Sequence, residues 1–101
     1  MRIPNDQLPQ PPELPLGFYK HFREGDWYLV VCVAGHSGHP HDFFVTYWSL
    51  SQRRFWVRPY ADFVASVKYE GRTVPRFVFF GQSLPDDAAT SSLPPQWWMP
   101  S

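Results

Sequence analysis

From Trp27 to Ala34 the chain runs for eight residues without a charge, an amide or a glycine. A period of two places Trp27, Leu29, Val31 and Val33 on one face of a strand and Tyr28, Val30, Cys32 and Ala34 on the other. Both faces are apolar. Such a strand must lie centrally, covered on both sides, or bend around a barrel. Twelve prolines distributed along the chain disfavour a helical bundle, because each removes an amide donor and fixes φ. A length of 101 residues is one small domain, too short for a two-domain enzyme with a cleft between its halves. The 19% aromatic content supplies enough burial for a core without staples.

The rest of the pattern is also β-rich. Gly35, Gly38 and Pro40 predict a loop after the first long strand. Residues 43–50 predict a second strand, with its aromatic and β-branched side chains. Arg54–Pro59 predicts a third, with Phe55 and Val57 facing the core and Trp56 and Arg58 on the other side. Tyr60–Ser66 fits one short helical turn. Val67–Tyr69 and Thr73–Phe80 read as a hairpin around Glu70-Gly71, with the glycine at positive φ. A strand near Phe18–Phe22 completes a set of about five. The expected fold is mainly β, a small barrel closed on itself with extended proline-rich tails. Leu29, Val31, Val33, Val45, Phe55, Val57, Phe63, Val67 and Phe77 are its expected core.

Composition divides the chain into three. Residues 1–16 carry five prolines and read as an extended arm. Residues 17–80 form the domain, and residues 81–101 are a tail ending near Trp97-Trp98-Met99. The domain has a net charge of +3 and the two tails together −3. Overall neutrality argues against indiscriminate polyanion binding. Two solvated tryptophans would be costly, so Trp97 and Trp98 are expected to be covered by this chain or by a second copy. The lone Cys32 excludes an internal disulfide framework and, mid-strand among valines, reads as a small buried hydrophobe. No leader or membrane-span pattern is visible, so the expected setting is cytoplasmic.

Four motifs in register then stand out: Tyr19-Lys20-His21-Phe22, Ala34 with His36-Ser37, Trp56-Val57-Arg58-Pro59, and Val74-Pro75-Arg76-Phe77. With Gly25, Tyr28, Tyr47, Phe63 and Gly71 between them, their order resembles a bacterial family known as domain of unknown function sixteen-fifty-three. The resemblance spans about residues 17–77. It implies an SH3-like small β-barrel and no established activity. This sequence departs from the family pattern at Gly35, where relatives carry Arg, and at Gly38, where they carry an acid. It gains His39 and His41 instead.

Candidate chemistry follows from these motifs. His36, His39 and His41, with Asp42 beside them, are weak metal candidates, because their spacing fits no standard zinc pattern and Pro40 stiffens the loop. The competing reading is a solvated turn. Ser37 adjoins His36, but neighbours in extended chain point oppositely, so no dyad is implied. No phosphate-binding glycine loop or metalloprotease motif occurs. A ligand face of Tyr19, His21, His36, Ser37, Tyr47, Trp56, Arg58 and Arg76 is the site expectation, against a structural network in which Arg58 pairs with Asp62. The reading favoured is a binding module for a nucleotide, nucleic acid or other anionic ligand, with no cofactor. A protein-interaction or inhibitor-like role is the alternative, as a monomer or a dimer through the tail. A small hydrolase built on His36, His21 and Arg58 is the third reading.

Overall fold

The computed structural model describes residues 4–23 and 25–84. The tail that carries Trp97 and Trp98 lies outside the described residues. After a 3-10 turn at Asn5–Gln7, the elements are β1 (Gly17–His21), β2 (Trp27–His36), β3 (His39–Ser49), β4 (Arg54–Pro59), α1 (Tyr60–Phe63), β5 (Ser66–Tyr69), β6 (Arg72–Pro75) and β7 (Phe77–Gly81). Five of them form one antiparallel sheet in the order β4-β3-β2-β1-β7, and β5 pairs with β6 as a separate hairpin. Among the described residues no helix is long and apolar enough to cross a membrane.

The expected closed barrel is corrected by this order. β4 and β7 are edges of the sheet, and the strands between them in sequence, β5 and β6, pair with each other instead of bridging the gap. The sheet is nevertheless strongly curled. In a flat sheet the two edges would stand about 19 Å apart, at ~4.8 Å per strand. Here the guanidinium of Arg58 on β4 lies 5.6 Å from the ring centroid of Phe77 on β7. Phe63 of α1 fills the concave side, stacked on Phe77 with centroids 4.3 Å apart.

Turn chemistry sets the registers. Glu70 and Gly71 both have positive φ, the geometry that a two-residue hairpin turn between twisted strands requires. Gly17 has φ 136°, and a Cβ there would stand 2.6 Å from the carbonyl oxygen of Gly81, so only glycine lets β1 and β7 meet at that end. The loop expected after Gly35 is instead a tight hairpin. β2 runs on to His36 and β3 starts at His39, with His36 and His39 as partners across the turn. The expected strand over Thr73–Phe80 is split. Pro75 cannot extend the ladder, and Arg76 donates its amide to Ala65 and accepts from Phe22 (3.0 Å each), which sends β7 to β1.

The core lies on both faces. On the concave face Tyr19, Val30, Val45, Tyr47, Phe63 and Phe77 form one buried cluster, with Leu14 of the arm packed against it. On the convex face Phe18, Leu29, Trp48 and Leu50 form another. A register shift between Val30 and Cys32 leaves Val31 as a bulge, so the alternation changes sides there. Leu29 and Val31 pack on the convex cluster, whereas Val33 pairs with buried Val45 on the concave face. Of the expected core, Leu29, Val45, Phe63 and Phe77 are buried, while Val31, Val33, Phe55 and Val67 are half-buried. Val57 is a correction: it is 62% exposed, because it lies on the convex side of an edge strand. Cys32 is likewise exposed rather than buried.

Candidate functional site

β4 supplies the candidate site through its alternation. Arg54, Trp56 and Arg58 pair with Ser49, Tyr47 and Val45, so all three stand on the concave face. The β3–β4 turn is closed by Ser49, whose side chain is fully buried and accepts from the Gln52 amide at 3.1 Å, while Arg53, at φ 55°, donates its amide to the Ser49 carbonyl at 2.8 Å. That turn brings Gln52 back over the strand. Trp56 Nε1 donates to Gln52 Oε1 at 2.9 Å, and the Arg54 guanidinium lies 5.5 Å from the indole.

Together these residues border a concavity of about 410 Å³ lined by Tyr28, Tyr47, Gln52, Trp56, Arg58 and, from α1, Asp62. Tyr28 and Tyr47 meet edge to face at 5.5 Å and form the floor. Trp56 is 38% exposed and forms a wall. Arg58 is half-buried over Phe77, and among the described residues it makes no ion pair, with Asp62 or otherwise. A cation so placed has lost part of its hydration without gaining a carboxylate, and an anionic group entering the concavity would complete it.

The eight expected site residues do not form one cluster. Tyr47, Trp56 and Arg58 are brought together. Tyr19 is structural: it is buried, its hydroxyl donates to the Pro15 carbonyl at 2.7 Å, and burial, with Tyr60 nearby, pushes its pKa up to about 12. His21 packs edge-on against Phe77, its Nδ1 accepts from the Arg23 amide at 3.3 Å, and it borders a different hollow with Trp27 and Phe80. His36 and Ser37 sit at the tip of the β2–β3 hairpin, bordering a third hollow with Leu8, Pro9 and Phe43. The register explains the separation, since Arg58 is level with Val45 while His36 pairs with His39 beyond the end of β4. Arg76 borders none of these hollows; its Nε is buried without a partner between β6 and β7. His21, His36 and Arg58 therefore do not converge.

His36 has a local task. Its Nδ1 accepts the amides of Gly38 at 3.0 Å and His39 at 3.1 Å, which places its ring proton on Nε2 and closes the turn. The rings of His36 and His39 are 4.8 Å apart, but among the described residues no group of three His, Cys, Asp or Glu side chains, His41 included, gathers for a metal. Sequence reasoning missed Tyr28, Gln52 and Asp62 as site residues. Gln52 was within reach of it, because a four-residue turn places the residue four before Trp56 over that indole.

A family model described as a protein of unknown function (DUF1653) matches residues 17–79. The fold is similar to that of a crystal structure of a protein belonging to DUF1653 from Bordetella bronchiseptica, with a TM-score of 0.64 and 25% sequence identity over 73% of this chain and 96% of that one. No curated protein matches.

Proposed function

The chain belongs to the DUF1653 family of proteins of unknown function, and from that premise we propose that it is a binding module for a nucleoside phosphate. The ligand sits in the concavity bordered by β4, β3 and α1. The observation that carries this reading is Arg58, half-buried over an aromatic ring, without an ion pair among the described residues, and facing the same hollow as a half-exposed tryptophan. A planar base stacks on Trp56, a phosphate pairs with Arg58, and Gln52 and Asp62 offer the acceptors and donors that read a base edge. Arg54, whose guanidinium lies 5.5 Å from the Trp56 indole, adds positive charge beside that wall. The compartment we assign is the cytoplasm, where the exposed Cys32 thiol stays reduced.

The test is a thermal-shift series with nucleoside mono-, di- and triphosphates and short single-stranded oligonucleotides. At a free concentration a hundredfold above Kd, binding adds about 2.7 kcal/mol, which raises Tm by roughly 10 °C in a domain of this size. That shift should be absent in Arg58→Ala. A full series without a shift overturns the reading, as does an undiminished shift in Arg58→Ala.

A further inference from the structure

We propose that the ligand is a single-stranded nucleic acid laid along β4, with Arg54 and Arg58 each holding a phosphate on either side of the base stacked on Trp56. The proposal rests on the nucleoside-phosphate reading and adds the length and form of the ligand.

The first observation is the position of Arg54. It shares the concave face with Trp56 and Arg58, yet Trp56 and Arg58 border the hollow and Arg54 does not. Along the strand the tryptophan stands between the two arginines. A nucleoside 5′-phosphate carries charge on one side of its sugar only and is served by Arg58 alone. A nucleotide within a strand carries a phosphate on each side, 5′ and 3′. Two arginines flanking one indole match that second pattern.

The second observation is that the platform is set before a ligand arrives. Trp56 Nε1 donates to Gln52 Oε1 at 2.9 Å, which fixes the indole. The Arg54 guanidinium lies 5.5 Å from that ring, in an exposed side chain without an ion pair among the described residues. Stacking engages the flat face of a guanidinium, so its N–H edge stays available to a phosphate. A group held in place this way loses little entropy on binding.

The third observation is reach. β4 is an edge of the sheet, and among the described residues no strand pairs with its outer side. A ligand can therefore continue past the hollow. Arg54 and Arg58 are four residues apart, about 14 Å at ~3.4 Å per residue. At ~3.4 Å per nucleotide of a stacked strand, that is about four nucleotides, beyond the span of one. A duplex fits poorly, because no base reaches the indole without leaving its stack. The competing role for the two arginines is to guard an edge strand against pairing with other chains, which predicts no dependence on ligand length.

The experiment measures affinity of the full chain for thymidine 5′-monophosphate and for 5′-phosphorylated oligothymidylates of increasing length. The tetranucleotide should bind on the order of tenfold more tightly than the mononucleotide. The logarithm of its affinity should fall with that of salt at a slope of about −1.4, for two phosphates on a single strand. Arg54→Ala should reduce the slope to about −0.7 and bring the tetranucleotide close to the mononucleotide. Arg54 is exposed, so this variant should melt as the parent does. A tetranucleotide bound no more tightly than the mononucleotide overturns the strand and leaves the nucleoside-phosphate reading standing. Binding of neither overturns both. An unchanged slope in Arg54→Ala also overturns the proposal, as does a duplex bound as tightly as either of its strands, since bare charge attraction would then suffice.

Discussion

Arg58 and Phe77 belong to strands at opposite edges of one sheet, yet the guanidinium lies 5.6 Å from the ring centroid. The side chains thus connect two edges that the backbone leaves unpaired. Phe77 is stacked on Phe63, in planes 5° apart, and meets Tyr28 edge to face, so the cation rests on the same aromatic group that fixes the curl. The geometry of the candidate site and the packing of the core share these residues.

That packing is the first thing to test. Phe63 is 1% exposed and Phe77 is 7% exposed. Either Phe→Ala change should cost about 3–5 kcal/mol, a large part of the stability of such a domain. Urea unfolding at constant m-value measures it. A loss below about 1 kcal/mol would show that the curl does not depend on this pair.

Arg58→Ala should separate binding from stability. A half-buried cation over a ring contributes about 0.5–1 kcal/mol, so the melting curve should hardly move while nucleotide binding is lost. Arg58→Lys keeps the charge but not the planar fork, and should bind more weakly, on the order of tenfold. Calorimetric titration of both variants checks this. Equal affinity in Arg58→Lys would show that charge alone matters.

Tyr19 makes stability fall at high pH. Its phenol, ordinarily ionising near 10, is held neutral up to about 12 in the folded chain, first by burial and then by Tyr60. The folded form therefore resists a deprotonation that the unfolded form undergoes. Its contribution is complete below pH 10 and is lost as pH rises towards 12, by about 2–3 kcal/mol. Tyr19→Phe should flatten this part of the profile, with a loss of about 1 kcal/mol at neutral pH for the bond to Pro15. Denaturation followed at pH 9, 10 and 11 distinguishes the two proteins.

His36→Ala should loosen a turn rather than abolish binding. Two amides lose their acceptor, at a cost of about 1 kcal/mol. Because both lie at an exposed hairpin tip, water replaces part of the loss. Faster hydrogen exchange at Gly38 and His39, with unchanged nucleotide affinity, is the expected outcome. Lost affinity would place His36 in the site after all.

Val57→Thr should be nearly silent, within about 0.5 kcal/mol, because the side chain is mostly in water. A large loss in thermal melts would restore the core-facing assignment that period two suggested for β4.

The strands were legible because their signal is local. Arg54–Pro59 appears where alternation and Pro59 put it, the helical turn expected over Tyr60–Ser66 begins at Tyr60 but ends at Phe63, and the shared face of Trp56 and Arg58 follows from their spacing alone. Non-local outcomes were not legible. The bulge at Val31 moves Val33 to the other face without any mark in a run of valines. Closure into a barrel depended on which partner β5 and β6 would take, and they took each other. Tyr19 and His36 looked like ligand groups because a tyrosine bonded to a proline carbonyl and a histidine bonded to its own turn have the same letters as binding residues.

The pairing of β7 with β1 joins the two ends of the domain, whereas β2 with β3, β3 with β4, and β5 with β6 are each sequential neighbours. Local hairpins of this kind form within microseconds, while a contact of such high sequence separation must first overcome loop-closure entropy. The expected order of folding is then meander first and β7 last, which pulse-labelled hydrogen exchange during refolding would check. Phe77 reaches Phe63 and Arg58 only at that final step, so an intermediate lacking β7 has the strand that bears Trp56 but no ring beneath the guanidinium. If the proposed nucleotide binding at Arg58 holds, affinity would report complete folding, and a nucleotide present during refolding should slow unfolding without accelerating the early hairpins.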